Sequence, residues 1–153
     1  MKINIKSNKG VTITGLVIYV SSFFMICVLI AVITTFFNNN TRFLSSEATA
    51  SAEYDVLNAY LAKDSKTKDN AIAGEPGGSY IEFTNGNKYI FEKSSEEAEY
   101  GKIYLCNTIT NKYFIVANYV GDVEFSSIPN KNAFEMKIKI LKNEYTQTYN
   151  LVD

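Results

Sequence analysis

Chemistry in this chain has to come from a short inventory. Among 153 residues there is no His, and the cysteines are Cys27 and Cys106. Without His, the Ser-His-Asp and Cys-His devices and His-ligated zinc fall away together. Cys27 lies inside a long apolar run and Cys106 in a segment with strand character, so one in lipid could not pair with the other in a soluble head. Both read as small buried apolar side chains rather than a disulfide. Asp64, Asp69 and Glu75 raise the question of calcium, but their spacing matches no EF-type loop, and a solvated charged linker explains them better. The run from Ser94 to Glu99 reads as an exposed acidic turn, and the G-x-x-x-x-G-K-[ST] pattern of a nucleotide-binding loop does not occur. Catalysis would need a carboxylate pair or a Ser-Lys or Tyr device, and no spacing singles one out. The expectation is a chain that is no enzyme and takes no cofactor or metal. A net charge of −1 with Arg42 as the single Arg gives no footprint for nucleic acid either.

What such residues would be mounted on begins with residues 11–37, which contain no charge and follow Lys2, Lys6 and Lys9. At 1.5 Å per residue, roughly 27 residues make ~40 Å of helix, more than the ~30 Å hydrocarbon core of a bilayer. The run is about twice the length of a secretory-signal core and ends in Asn38-Asn39-Asn40-Thr41 with no small-residue cleavage site, so it reads as a retained anchor. The unopposed lysines place the N-terminus in the cytoplasm and the bulk of the chain outside. Between Leu16 and Ala73 there is neither Gly nor Pro, and Ala50, Tyr54, Leu57 and Leu61 recur on one helical face. One helix from about Thr12 to about Lys63 is predicted, with Asn38 to Thr41 its weakest point.

After a loop at 64–78 the chain becomes β in character. Seven runs rich in Tyr, Ile, Phe and Val are expected as strands, at 79–84, 88–93, 102–108, 112–119, 122–127, 133–141 and 144–151. Asn85-Gly86 predicts a type I′ hairpin turn, and Asn111-Lys112 and Lys142-Asn143 are weaker turn signals. In Phe134-Glu135-Met136-Lys137-Ile138-Lys139-Ile140 apolar and charged residues alternate, giving one dry face for the helix stripe to cover. The fold class expected is therefore α+β: a long N-terminal helix, membrane-spanning first and amphipathic later, packed on a C-terminal antiparallel β domain of about seven short strands. Single-layer sheet and two-layer sandwich both remain open.

Asn8-Lys9-Gly10-Val11-Thr12-Ile13-Thr14-Gly15-Leu16, followed by that apolar helix, resembles the leader and start of a type IV pilin-like protein. The order of leader, helix and sheet is similar to the minor pseudopilins called J in type II secretion, the W-type minor pilins and the F-type competence pseudopilins. The resemblance implies a cytoplasmic leader, residues 1–10, cut after Gly10 by a prepilin peptidase, with methylation of the new N-terminal Val11. It implies a transmembrane helix at 11–37, an amphipathic continuation at 38–63, a linker at 64–78 and an extracytoplasmic head at 79–153. Thr12, Ile13, Thr14, Gly15 and Leu16 would pack in the filament. Membrane lipid and other pilins or pseudopilins would be direct partners, with an assembly platform and an ATPase acting indirectly. The family's fifth mature residue is normally Glu, which compensates a neighbouring terminal amine in lipid, and here it is Gly15. A minor subunit at the tip or in initiation is the expectation, in secretion, competence or adhesion. The alternative is a single-pass anchored binding or sensor protein whose anchor is never cut.

Overall fold

The computed structural model describes residues 13–152, which form the helix α1, Ile13–Lys66, followed by six strands. The chain divides into two units, Met1–Phe43 and Leu44–Asp153. Within the described part of the first unit there is helix alone, and it runs without a break through Asn38 to Thr41, the point expected to be weakest. Polar side chains that cost little in an exposed helix do not by themselves stop one, and no Gly or Pro intervenes.

The second unit holds the last part of α1 and the strands β1 (Tyr80–Glu82), β2 (Asn87–Glu92), β3 (Gly101–Asn107), β4 (Lys112–Ser127), β5 (Ala133–Ile140) and β6 (Asn143–Asn150). They pair antiparallel in sequence order, a six-stranded meander in one sheet. The helix lies on one face of it. Ala50, Leu57 and Leu61 are fully buried there and Tyr54 is partly buried, so the predicted stripe is the docking face. From the sheet, Phe134, Met136, Ile138 and Ile140 meet it, while Lys137 and Lys139 point to the other side. Ile103, Leu105, Val123, Phe125 and Tyr89 extend the same core across β2, β3 and β4.

Six strands stand where seven were expected, because 112–119 and 122–127 are one strand. Tyr119-Val120-Gly121-Asp122 bends without reversing: Tyr119 takes φ 56°, and the β4–β5 register slips between Val120 and Asp122. This is a β-bulge, which keeps Val120 and Val123 both on the core side by absorbing an extra residue. The other turns depart in detail from their sequence signals. At Asn85-Gly86 only Gly86 has positive φ, 82°, and its N–H donates to the Phe83 carbonyl at 2.9 Å. That is a type I turn closed by a left-handed glycine rather than a type I′ turn. The β5–β6 turn is centred on Leu141-Lys142, one residue before the signal, with Leu141 at φ 53° and its N–H bonded to the Tyr119 carbonyl. The bulge in β4 and the neighbouring turn therefore hold each other.

Candidate functional site

Two regions carry the properties a function could use, one in each unit. In the first, the apolar side chains from Ile13 to Phe37 are exposed: Ile13, Leu16, Phe23, Phe24, Leu29, Phe36 and Phe37 all leave more than half of their surface uncovered. From Ile13 to Phe37, 25 residues give ~38 Å of helix without a charged group. The arrangement satisfies every backbone bond internally and presents hydrocarbon outward, which is what a bilayer requires of a spanning segment. This helix is a candidate membrane anchor. Ile13, Thr14, Gly15 and Leu16 form its first described turn, with Gly15 half-buried and the other three exposed. Gly10, Val11 and Thr12, the expected cleavage and methylation positions, lie outside the described residues. Cys27 lies on the same apolar surface, and Cys106, expected to be buried, is half-buried on the sheet face away from the helix.

In the second unit the helix end is tied down by polar groups. Asp64, expected in a solvated linker, is helical and only 4% exposed. Its carboxyl oxygens accept from Asn85 Nδ2 (3.0 Å), from Asn87 Nδ2 (3.0 Å to each oxygen) and from Tyr89 Oη (2.6 Å). Three donors thus replace the water that the buried carboxyl gives up, with Asn87 Nδ2 shared between its two oxygens. Asp69 and Glu75 are exposed elsewhere in the loop. Among the described residues no group of three His, Cys, Asp or Glu side chains comes together as a metal site.

The same corner finishes the helix without a glycine cap. Its last carbonyls would go unpaired; Lys63 O instead accepts from Thr67 Oγ1 (2.9 Å), Asp64 O from Asn70 Nδ2 (2.8 Å) and Ser65 O from Val152 N (3.3 Å). Asn70, 3% exposed, passes the connection on by accepting from Thr84 Oγ1 and Asn85 N at 3.1 Å. These partners explain why the helix runs to Lys66, three residues past its expected end.

Three further contacts fix the helix along the sheet. Glu53 Oε2 accepts from Asn118 N at 2.8 Å, Asn58 Oδ1 accepts from Tyr149 Oη at 2.7 Å, and the Tyr54 ring stacks on Tyr145 at 4.2 Å. Burial, with the Asp64 hydrogen bond second, pushes the Tyr89 hydroxyl far above its usual 10.0. Burial likewise raises Tyr149. Sequence reasoning missed this set, although one signal was present: Asp64 follows Leu61 by three residues and so continues the buried stripe.

Compared with protein-family models, curated proteins and solved structures, the chain finds no match.

Two outcomes are expected for the full chain in detergent micelles, followed by tyrosine fluorescence in denaturant. Asp64→Ala leaves the Asn87 amide and the Tyr89 hydroxyl without their acceptor and costs about 3 kcal/mol, whereas Glu97→Ala in the exposed turn costs less than about 0.5 kcal/mol. Because folding raises the pKa of Tyr89 and Tyr149, the fold favours their protonated forms. Their contribution is complete below the unfolded value near 10 and falls as pH climbs above it. A Tyr89→Phe/Tyr149→Phe double variant should lose stability less steeply above pH ~10 than the parent chain.

Proposed function

We propose that this chain is a minor structural subunit of a type IV pilus-like filament, acting at the tip or in initiation, in a secretion, competence or adhesion machine. The observation that carries the reading is one uninterrupted helix, Ile13–Lys66, uncharged and bare over its first half and bearing a sheet domain on its second. A subunit that is stored in a bilayer and then moved into a helical core needs both properties in a single element. Lys9-Gly10-Val11-Thr12 adds the leader junction, cut after Gly10 with Val11 as the methylated new terminus. Thr12, Ile13, Thr14, Gly15 and Leu16 then contact neighbouring subunits, small residues permitting close helix approach. The peptidase, the platform protein and its ATPase are the machinery partners this reading calls for. The head faces away from the cytoplasm, opposite the lysine-rich leader.

Gly15 restricts the position in the filament. It offers no carboxylate to a neighbour's terminal amine, and an uncompensated ammonium in lipid costs several kcal/mol, on the order of a charged side chain there. A place with no such neighbour removes the requirement.

Intact-mass measurement of the membrane-extracted protein should show loss of residues 1–10, with or without one added methyl; full-length mass in a cell possessing the peptidase would refute processing and leave the uncut anchored protein. Gly15→Glu should raise the amount recovered in sheared filaments several-fold if the missing carboxylate is what limits entry into the shaft. Unchanged recovery at normal expression would argue against any shaft contact at this residue.

A further inference from the structure

Two structural requirements meet in the β1–β2 turn and together place a reactive dipeptide there. Position 86 needs glycine: its φ is 82°, and a Cβ there would come within 2.7 Å of Ile109 Cγ1. Position 85 needs a short donor for the buried carboxyl of Asp64, and Asn85 Nδ2 supplies it at 3.0 Å. In an Asn-Gly pair the following backbone nitrogen reaches the asparagine side chain most easily, because no Cβ hinders it. The reaction open to such a pair is deamidation. The Gly86 nitrogen gives up its proton and bonds to Asn85 Cγ, the Cγ–Nδ2 bond breaks, and ammonia leaves carrying that proton. Water then opens the five-membered imide at either carbonyl, leaving aspartate or isoaspartate. Water is the only co-reactant.

The folded head holds each group on this path. Gly86 is buried, and its N–H donates to Phe83 O at 2.9 Å, so the proton that must leave is already shared with a carbonyl. Asn85 N donates to Asn70 Oδ1 at 3.1 Å, and Asn85 Oδ1 accepts from Asn87 N at 2.9 Å. Nδ2 is fastened to Asp64, and a carboxyl oxygen that accepts from it supplies no proton to a departing ammonia. Closing the imide requires the side-chain amide to come off both Asp64 and Asn87. The products, in turn, do not fit the closed arrangement. Aspartate sets a second carboxylate against Asp64 where a donor stood, and isoaspartate lengthens the main chain by one carbon inside the turn.

We infer that Asn85 is a modification site gated by Asp64: it stays an amide while the helix end is seated on the first hairpin and deamidates once that contact opens. The change runs one way. A head that has lost the amide cannot restore the Asp64 contact, so the turn keeps a chemical record of having been open. This inference concerns the head unit and stands independently of the filament reading.

The test incubates the full chain in detergent micelles in mildly alkaline buffer and follows the mass change at residue 85 by fragment-ion mass spectrometry. The synthetic peptide Ile-Glu-Phe-Thr-Asn-Gly-Asn-Lys, residues 81–88, gives the unprotected rate. Asn85 in the parent chain should deamidate at least tenfold more slowly than in the peptide, and Asp64→Ala should recover at least several-fold of that difference. Asp64→Glu keeps the charge and displaces the carboxyl by one methylene, so it guards against a misfolded alanine variant and should also accelerate the reaction. Leu57→Ala weakens the same head through its apolar core and leaves the Asp64 contact in place, so while its circular dichroism persists it should keep the parent rate. A peptide-like rate in the parent overturns the inference, as do parent-like rates in both Asp64 variants. Equal acceleration by Leu57→Ala overturns it too, by assigning the protection to global stability. Asn85→Asp, which carries the product side chain, should unfold at lower denaturant concentration than the parent, and equal stability would overturn the one-way record.

Discussion

The fold depends on how Asp64 is held. A carboxyl group brought to 4% exposure forfeits its water, and it remains there because two amides and a phenol replace that water with four hydrogen bonds. All the donors come from the β1–β2 turn and β2, so the helix end and the first hairpin specify each other's position. The apolar stripe of Ala50, Leu57 and Leu61 supplies attraction without direction. Asp64 adds direction, because a shift along the helix by one turn would leave both the carboxyl and Tyr89 unsatisfied in the interior.

That division of labour suits an element with two environments. The early part of the helix offers hydrocarbon with little to fix its rotation, and it can therefore accept lipid or other apolar helices alike. The later part is tied at Glu53, Tyr54, Asn58 and Asp64 to three separate strands and a turn. A filament subunit of the kind proposed has this need: freedom to exchange apolar neighbours over one stretch, and a head that keeps its seat on the other.

Much of this was legible in the sequence where periodicity carried it. The apolar run reappears as an exposed uncharged helix, and the stripe from Ala50 to Leu61 and the alternation along β5, each describing one side of an element, reappear in the packing. What was missed involves pairs of distant residues. Asp64 looks like linker because a carboxyl is normally solvated, and only the presence of Asn85, Asn87 and Tyr89 makes its burial tolerable. Tyr119 to Asp122 looks like a turn because Gly121 is there, but the Leu141 amide bonded to the Tyr119 carbonyl makes it a bulge within a strand. Asn85-Gly86 marks the right hairpin and the wrong turn type, since the Asn85 side chain is engaged with Asp64 and Asn87 N.

The meander gives the head mostly neighbour-to-neighbour pairing, which forms quickly because little chain has to be ordered before each contact is made. The helix attachments follow a different schedule. Asn58 waits for Tyr149, 91 residues further along, and the Ser65 carbonyl waits for Val152. A chain folding in sequence order would thus build five strands while its helix is still unsecured on the β6 side, and a truncated or stalled chain would display that unfinished flank. Completion of the head is registered at the helix, and a quality-control protease reading exposed helix would distinguish finished heads from unfinished ones.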